Sequence, residues 1–162
     1  MEFRELVRKK QALTRETSIE ILRQEKRGVL SVLGDGDYPY GMPMNHYYRE
    51  EDGCLYFHGG MTGHKIDAIR RHDKASFCVY DRGYLDETAR VPWALNIRSV
   101  IIFGRIEFVE DREETIAISR ALSCQFTSDE AYIEDEIVHA GPRTLVFRLR
   151  PEQITGKLVN ES

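Results

Sequence analysis

A chain of 162 residues, 41% hydrophobic and 31% charged, is long enough for one domain with a sizeable core and too short for two ordinary ones. A net charge of -4 is not that of a nucleic-acid binder, and no apolar run approaches the ~20 residues that span a bilayer. The charged start, Met1 to Glu5, lacks the apolar core of a secretory signal, and the 3 cysteines (Cys54, Cys78, Cys124) lie too far apart for a disulfide framework or a Cys-rich zinc site. A cytoplasmic protein with reduced thiols is expected.

In chain order, residues 1–13 are charged and weakly patterned, and read as an N-terminal arm. Thr14 can cap a helix running to about Glu25, with Ile19 and Leu22 on one face; the capping box is incomplete because Thr17 stands where Glu or Gln is expected. Gly28–Leu33 reads as a strand, Gly34–Asp37 as a tight turn, and Tyr40–Tyr48 as the returning strand. Pro43 cannot donate to a ladder, so it marks an edge, a bulge or a place where something else meets the backbone. Glu50–Gly53 turns the chain again, and Cys54–His58 completes a predicted antiparallel meander.

Thr62 is the expected cap of a helix over Gly63–Arg71, and Lys74–Tyr80 is a fourth strand. Residues 81–97 form a long connection carrying Tyr84, Pro92 and the only tryptophan, Trp93; such loops are often lids. Ser99–Val109 is the longest predicted strand, apolar on both faces in its first half and so expected to lie deep, with a bend at Gly104. Asp111 and Glu114 resemble a capping box for a helix over Arg112–Cys124. Residues 128–140 are acidic with some helical character, Thr144–Leu149 is a last strand, and 151–162 a short tail. Six strands with helices between them predict a mainly β single domain, a small antiparallel barrel with helices outside.

Several chemistries lack their residues. His46, His58, His64, His72 and His139 are not spaced as metal ligands. GxSxG is absent, Cys78 sits in an apolar strand, and neither a Rossmann fingerprint after a strand nor a P-loop is present. The remaining candidate is Leu55-Tyr56-Phe57-His58-Gly59-Gly60-Met61-Thr62-Gly63-His64-Lys65. A strand passes through a glycine-rich loop to a cation at the first turn of a helix. Either this is a plain strand-to-helix turn with Lys65 in water, or it is an anion site in which backbone N–H groups and Lys65 act together. The proline-interrupted Met42-Pro43-Met44-Asn45 could offer free backbone groups to the edge of a flat heteroaromatic ring.

Taken in order, the helix, the hairpin ending in Pro43-Met44-Asn45, the LYFH…GHK segment and Arg98-Ser99-Val100-Ile101-Ile102-Phe103-Gly104 resemble a known family. They are similar to the FMN-binding split barrels of the pyridoxamine 5′-phosphate oxidase superfamily, and within it to the nitroimidazole-resistance branch. The resemblance spans about residues 14–158. It implies a six-stranded antiparallel split β-barrel, a homodimer with FMN at its interface, and reduction of a small planar substrate, a nitroaromatic being the candidate. Met42, Pro43, Met44 and Asn45 would run along the isoalloxazine edge, and Phe57 and His58 would flank the ribityl chain and ring. Gly63, His64 and Lys65 would hold the phosphate, Arg98 and Ser99 would contact phosphate or ring, and Ile154–Lys157 resembles the closing segment. His58 matches the histidine that the branch uses in catalysis. Tyr84 and Trp93 are candidates to stack on the substrate or shield the flavin, or simply pack their loop.

The departures are His64-Lys65 where the oxidase has Arg-Lys, Gly59-Gly60 where relatives carry small polar or alanine residues, and no C-terminal Arg-x-His substrate segment. Oxidation of pyridoxamine phosphate is therefore not the implied activity. A non-catalytic flavin carrier or sensor, or a split barrel holding haem or a deazaflavin, is the alternative. Neither nucleic acid nor membrane is an expected partner.

Overall fold

The structure, a computed structural model, describes residues 3–161. Thr14 does cap the first helix: its Oγ1 accepts the N–H of Thr17 at 3.2 Å, so the cap forms without a full box. That helix, α1 (Arg15–Gln24), buries Ile21 and Leu22. It leads into β1 (Arg27–Leu33), which pairs antiparallel with β2 (Pro39–Asn45), Leu30 opposite Met42. The turn between them is a short 3-10 segment at Asp35–Asp37, with Gly36 at φ 60° and Asp37 at φ 62°.

The predicted second strand does not run on to Tyr48. It breaks at His46, and the chain continues as β3 (Tyr47–Arg49), which pairs with β4 (Cys54–Gly60). His46 is fully buried, and its Nε2 lies 2.9 Å from the carbonyl of Leu22. This bond ties the break to α1 and sends the two hairpins apart, so the expected meander is two separate hairpins.

After β4 come α2 (His64–Arg71), β5 (Lys74–Tyr80), the two-residue β6 (Tyr84–Leu85), β7 (Leu95–Phe108), α3 (Arg112–Cys124), α4 (Glu130–His139) and β8 (Thr144–Glu161). The 8-stranded sheet has the order β2-β1-β5-β7-β8-β4-β3, with β6 paired to β7. The two hairpins thus sit at opposite ends of one sheet, which curls into a half-barrel: the split barrel predicted from the sequence, with strands added by the break at His46 and by β6. The long connection 81–97 gives up its last three residues to β7. The predicted tail at 151–162 is a correction. Residues 151–161 extend β8, paired with β7 as far as Leu95 opposite Glu161. Isolated from its partner the segment carries no strong strand pattern; β7 supplies the ladder.

Alternation along β7 sends Val100, Ile102 and Ile106 into the core with Leu30, Phe57, Phe77 and Phe147. Ile101 and Phe103, expected to lie deep, are 42% and 43% exposed on the other face. A half-barrel covers only its inner side. The N-terminal arm reaches this outer face, where Phe3 stacks on Phe103 at 5.9 Å between centroids, and Ala12 bridges to Lys157.

A second, smaller core gathers Cys54, Tyr56 and Val146 under Ile118 and Leu122 of α3. Asp111 caps α3 by accepting the N–H of Glu114 at 2.7 Å. The box is not closed, because the Glu114 carboxylate turns to Arg49 at 2.7 Å. Arg49 also reaches Asp52 and the hydroxyl of Tyr56. Burial acts to raise the Asp52 carboxyl, but hydrogen bonds from Arg49 and Tyr56 outweigh it and bring its pKa down to about 2. Among the described residues no helix is long and apolar enough to cross a membrane, and no cluster of three metal-ligating side chains occurs.

Candidate functional site

β4 carries the site because its two faces meet different surroundings. Side chains alternate along a strand, so Leu55, Phe57 and Gly59 share one face and Cys54, Tyr56 and His58 the other. The first face belongs to the main core and the second to the core under α3.

On the first face lies Lys65. The helix that carries it starts at Gly63, not at a Thr62 cap: Gly63 has φ 114° and no side chain caps the helix. That backbone conformation is open to glycine and closed to most residues, and it turns the chain sharply from the loop into α2. Within the first turn, Lys65 folds back over β4. Its Nζ lies 3.5 Å from Met44 Sδ and 5.6 Å from the centre of the Phe147 ring. Among the described residues no carboxylate pairs with it. Burial lowers its pKa from the usual lysine range. Gly59 makes room: a Cβ there would stand 2.6 Å from Lys65 Nζ. The unpaired ammonium, the apolar floor and the free N–H groups at the start of α2 suit an anion.

On the second face, His58 opens into a pocket of about 190 Å³ together with Asn45 and residues of the α3–α4 turn and α4, among them Phe126, Tyr132 and Glu136. Burial and the nearby Lys65 charge lower the His58 pKa, with Glu136 opposing them, which favours the neutral imidazole with one N–H to donate.

Residues 14–158 match the pyridoxamine 5′-phosphate oxidase family. The chain belongs to that family. Its split-barrel fold recurs in solved structures. One is a protein assigned to 5-nitroimidazole antibiotic resistance from Bacteroides thetaiotaomicron VPI-5482, at 21% identity and TM-score 0.76, covering 92% of this chain and 87% of that one. Another is a conserved hypothetical protein from Mycobacterium tuberculosis, at 16% identity and TM-score 0.76, covering 94% and 90%. A third is a FAD-binding protein from Mesorhizobium loti, at 22% identity and TM-score 0.63, covering 92% and 97%. Among curated proteins none matches the sequence.

Within this family member, some of the residues expected at the site are brought together and others are not. Lys65 and Met44 meet on one face of β4, with Gly63 at the start of the helix that carries Lys65, and Asn45 and His58 share the pocket on the other. Pro43 is exposed on β2, which has a neighbour on one side only, whereas Met42 is 8% exposed and belongs to the core. Phe57 is wholly buried, stacked on Phe147 at 5.4 Å and edge-on to Phe77, so its ring belongs to the core and its backbone is the part left to meet a ligand. The aromatic residue that looked like part of the site is the strand's core-facing neighbour of His58.

His64 is turned away from Lys65. Its ring stacks on Tyr40 at 4.2 Å, and its Nε2 accepts the N–H of Asp35 at 3.2 Å. It fastens α2 to the β1–β2 turn, an attachment reinforced by Arg71 on Asp35 at 2.6 Å. Lys65 is left as the cation that faces the candidate anion site.

Arg98 and Ser99 are not brought to Lys65 within one protomer. They lie near the far end of β7, ten residues from Phe108 and so about 30 Å along the strand from the Phe147 pairing. Arg98 Nε donates to Asp81 at 2.6 Å, and its backbone N–H donates to the same carboxylate at 2.9 Å. Trp93 and Tyr84 are 71% and 48% exposed, Tyr84 within the β6 pairing. Phe126, Tyr132 and Glu136 were not anticipated. They sit in or beside an acidic stretch with no motif, and only the packing of α3 against α4 places them over His58.

Proposed function

We propose that this chain is an FMN-dependent oxidoreductase that works as a homodimer, in a reducing cytoplasm, on a small planar substrate of the nitroaromatic type. The observation that carries the reading is Lys65: a half-buried ammonium with no carboxylate partner among the described residues, set at a helix start over a glycine. A buried cation without a counter-charge is costly, and a cofactor phosphate would supply one. The residues therefore fit the phosphate end of FMN, with Lys65 and the α2 N–H groups holding it and Pro43 and Met44 near the ring.

Bound FMN would supply the electron pair. His58 would then donate or hold a proton at the substrate side, with Asn45 helping to orient the substrate. The exposed apolar face of Val29, Leu33, Ile101 and Phe103 favours a second copy as its cover. A dimer also explains why Arg98 and Ser99 stand far from Lys65 in one protomer: they would complete the partner's site. Three free cysteines, Cys54, Cys78 and Cys124, suit a reducing compartment.

The test is the absorbance of the purified protein and of protein reconstituted with FMN, followed by reoxidation of the reduced form with a nitroaromatic. A flavin spectrum and nitro-dependent reoxidation are expected. His58→Ala should slow that reoxidation while the flavin stays bound. A protein that takes up no flavin sinks the cofactor reading, and bound flavin that no nitroaromatic reoxidises leaves a carrier.

A further inference from the structure

The pocket over His58 is small, and the formal charge among its lining residues is the carboxylate of Glu136. Its volume is about 190 Å³. An engineered apolar cavity of about 150 Å³ takes up benzene, so this pocket has room for one ring with a short substituent. Phe126 and Tyr132, 45% and 54% exposed, give it aromatic walls. Lys26 and Arg27 each lie 5.3 Å from the centre of the Phe126 ring and are not among the residues of the pocket.

The acids of α4 are not equivalent. Glu130 and Glu134 both engage Arg120, and Asp135 pairs with His139 at 3.0 Å. Glu136 has no such partner among the described residues, and it is the acid that lines the pocket. Lys65 rises from the other side of β4: its charge is felt at His58, but its side chain does not line the pocket. Burial disfavours the charged form of His58, so its ring adds little repulsion toward a cation.

We propose that Glu136 selects the substrate: the pocket takes a one-ring aromatic compound bearing an ammonium or similar cationic group, held by Glu136 while Phe126 and Tyr132 contact the ring. The inference rests on His58 marking the substrate side of the site. The carboxylate meets the charge directly, while the aromatic walls supply apolar contact for the ring.

The test is an NMR titration of the purified protein with benzylamine, benzyl alcohol and benzoate, which share a ring and differ in charge. Benzylamine should bind about tenfold more tightly than benzyl alcohol, as a charge-assisted bond requires, and benzoate should bind least. Glu136→Gln should bring amine and alcohol to the same affinity; the side chain makes no bond that the helix needs. Tyr132→Ala should weaken amine and alcohol alike. Equal affinity for the three compounds, or an amine preference that survives Glu136→Gln, overturns the proposal. An FMN titration run alongside separates the two readings. Amine preference without flavin uptake leaves the pocket standing and removes the flavin, and flavin uptake without amine preference does the reverse.

Discussion

The two faces of β4 differ sharply, although their residues alternate along one strand. The face of Gly59 is apolar and tight, and its charge among the described residues is the stranded ammonium of Lys65. The face of His58 is open, walled by aromatic side chains, and its unpaired charge is the carboxylate of Glu136. On the proposed reading, with an anionic cofactor on one face and a less acidic molecule on the other, keeping these charges apart is an advantage. The strand does so with a one-residue step, since adjacent side chains point to opposite sides.

The largest effect should come from losing both faces together. They are joined at His46, where β2, with Met44 on the Lys65 side and Asn45 in the pocket, breaks into β3. His46 donates from Nε2 to the Leu22 carbonyl and leaves Nδ1 buried without a partner, so a proton added there has nothing to bond. Burial lowers its pKa to about 4 from 6.5. The unfolded chain binds that proton near pH 6.5 and the folded chain only near pH 4. Stability from this group is therefore complete above pH 6.5 and is lost as pH falls toward 4, by roughly 3 kcal/mol. Urea midpoints at a series of pH values should fall through that window. In His46→Gln the slope in that window should flatten, whatever the variant's stability at pH 7.5. An unchanged slope would mean that other groups govern the acid response.

The next effect separates the faces. Lys65→Met removes the cation of the Gly59 side while keeping its bulk. FMN affinity, read by quenching of flavin fluorescence, should fall about 30-fold, the worth of a charge-assisted bond to phosphate. Riboflavin, which lacks the phosphate, should bind the variant and the parent equally, and the benzylamine preference of the opposite face should persist. Equal losses for FMN and riboflavin would show that Lys65 supports the fold or the ring and not the phosphate.

The sequence was informative about β4 where chemistry is local and silent where packing decides. A glycine-rich turn before a lysine marked the Lys65 side, because small residues and a cation are visible in one stretch. Strands β1, β4 and β5 and helices α1 and α3 followed from alternation and caps, and α2 from its pattern alone, since the expected Thr62 cap does not form. The break at His46 did not, since it depends on a hydrogen bond to a helix twenty-four residues earlier. Phe57 and His58 looked alike as site residues; which of two neighbours faces the core is set by pairing with Phe147 and Val146 of β8. Residues 151–161 looked like a tail because their pattern is weak, and β7 makes them a strand. The pocket's Glu136 was hidden for the same reason: nothing local says which acid of a helix is left without a cation.

The smallest effect concerns the double glycine, where the two positions should part. At Gly59 an added Cβ would meet Lys65 Nζ at 2.6 Å, whereas at Gly60 it would meet nothing within 4 Å. The obstructed atom is the tip of a flexible side chain, so Gly59→Ala should fold normally and push the ammonium aside. FMN affinity should drop about threefold, well short of deleting the charge, because Lys65 can still reach an anion from a less favourable rotamer. Gly60→Ala should leave FMN affinity unchanged, and neither substitution should alter benzylamine binding on the other face. The control is the double variant Gly59→Ala with Lys65→Met. If Gly59 acts by leaving space for the ammonium, its effect disappears once the ammonium itself has been removed. Should the threefold loss persist in the double variant, Gly59 shapes the strand end itself and the glycine has no special tie to the lysine.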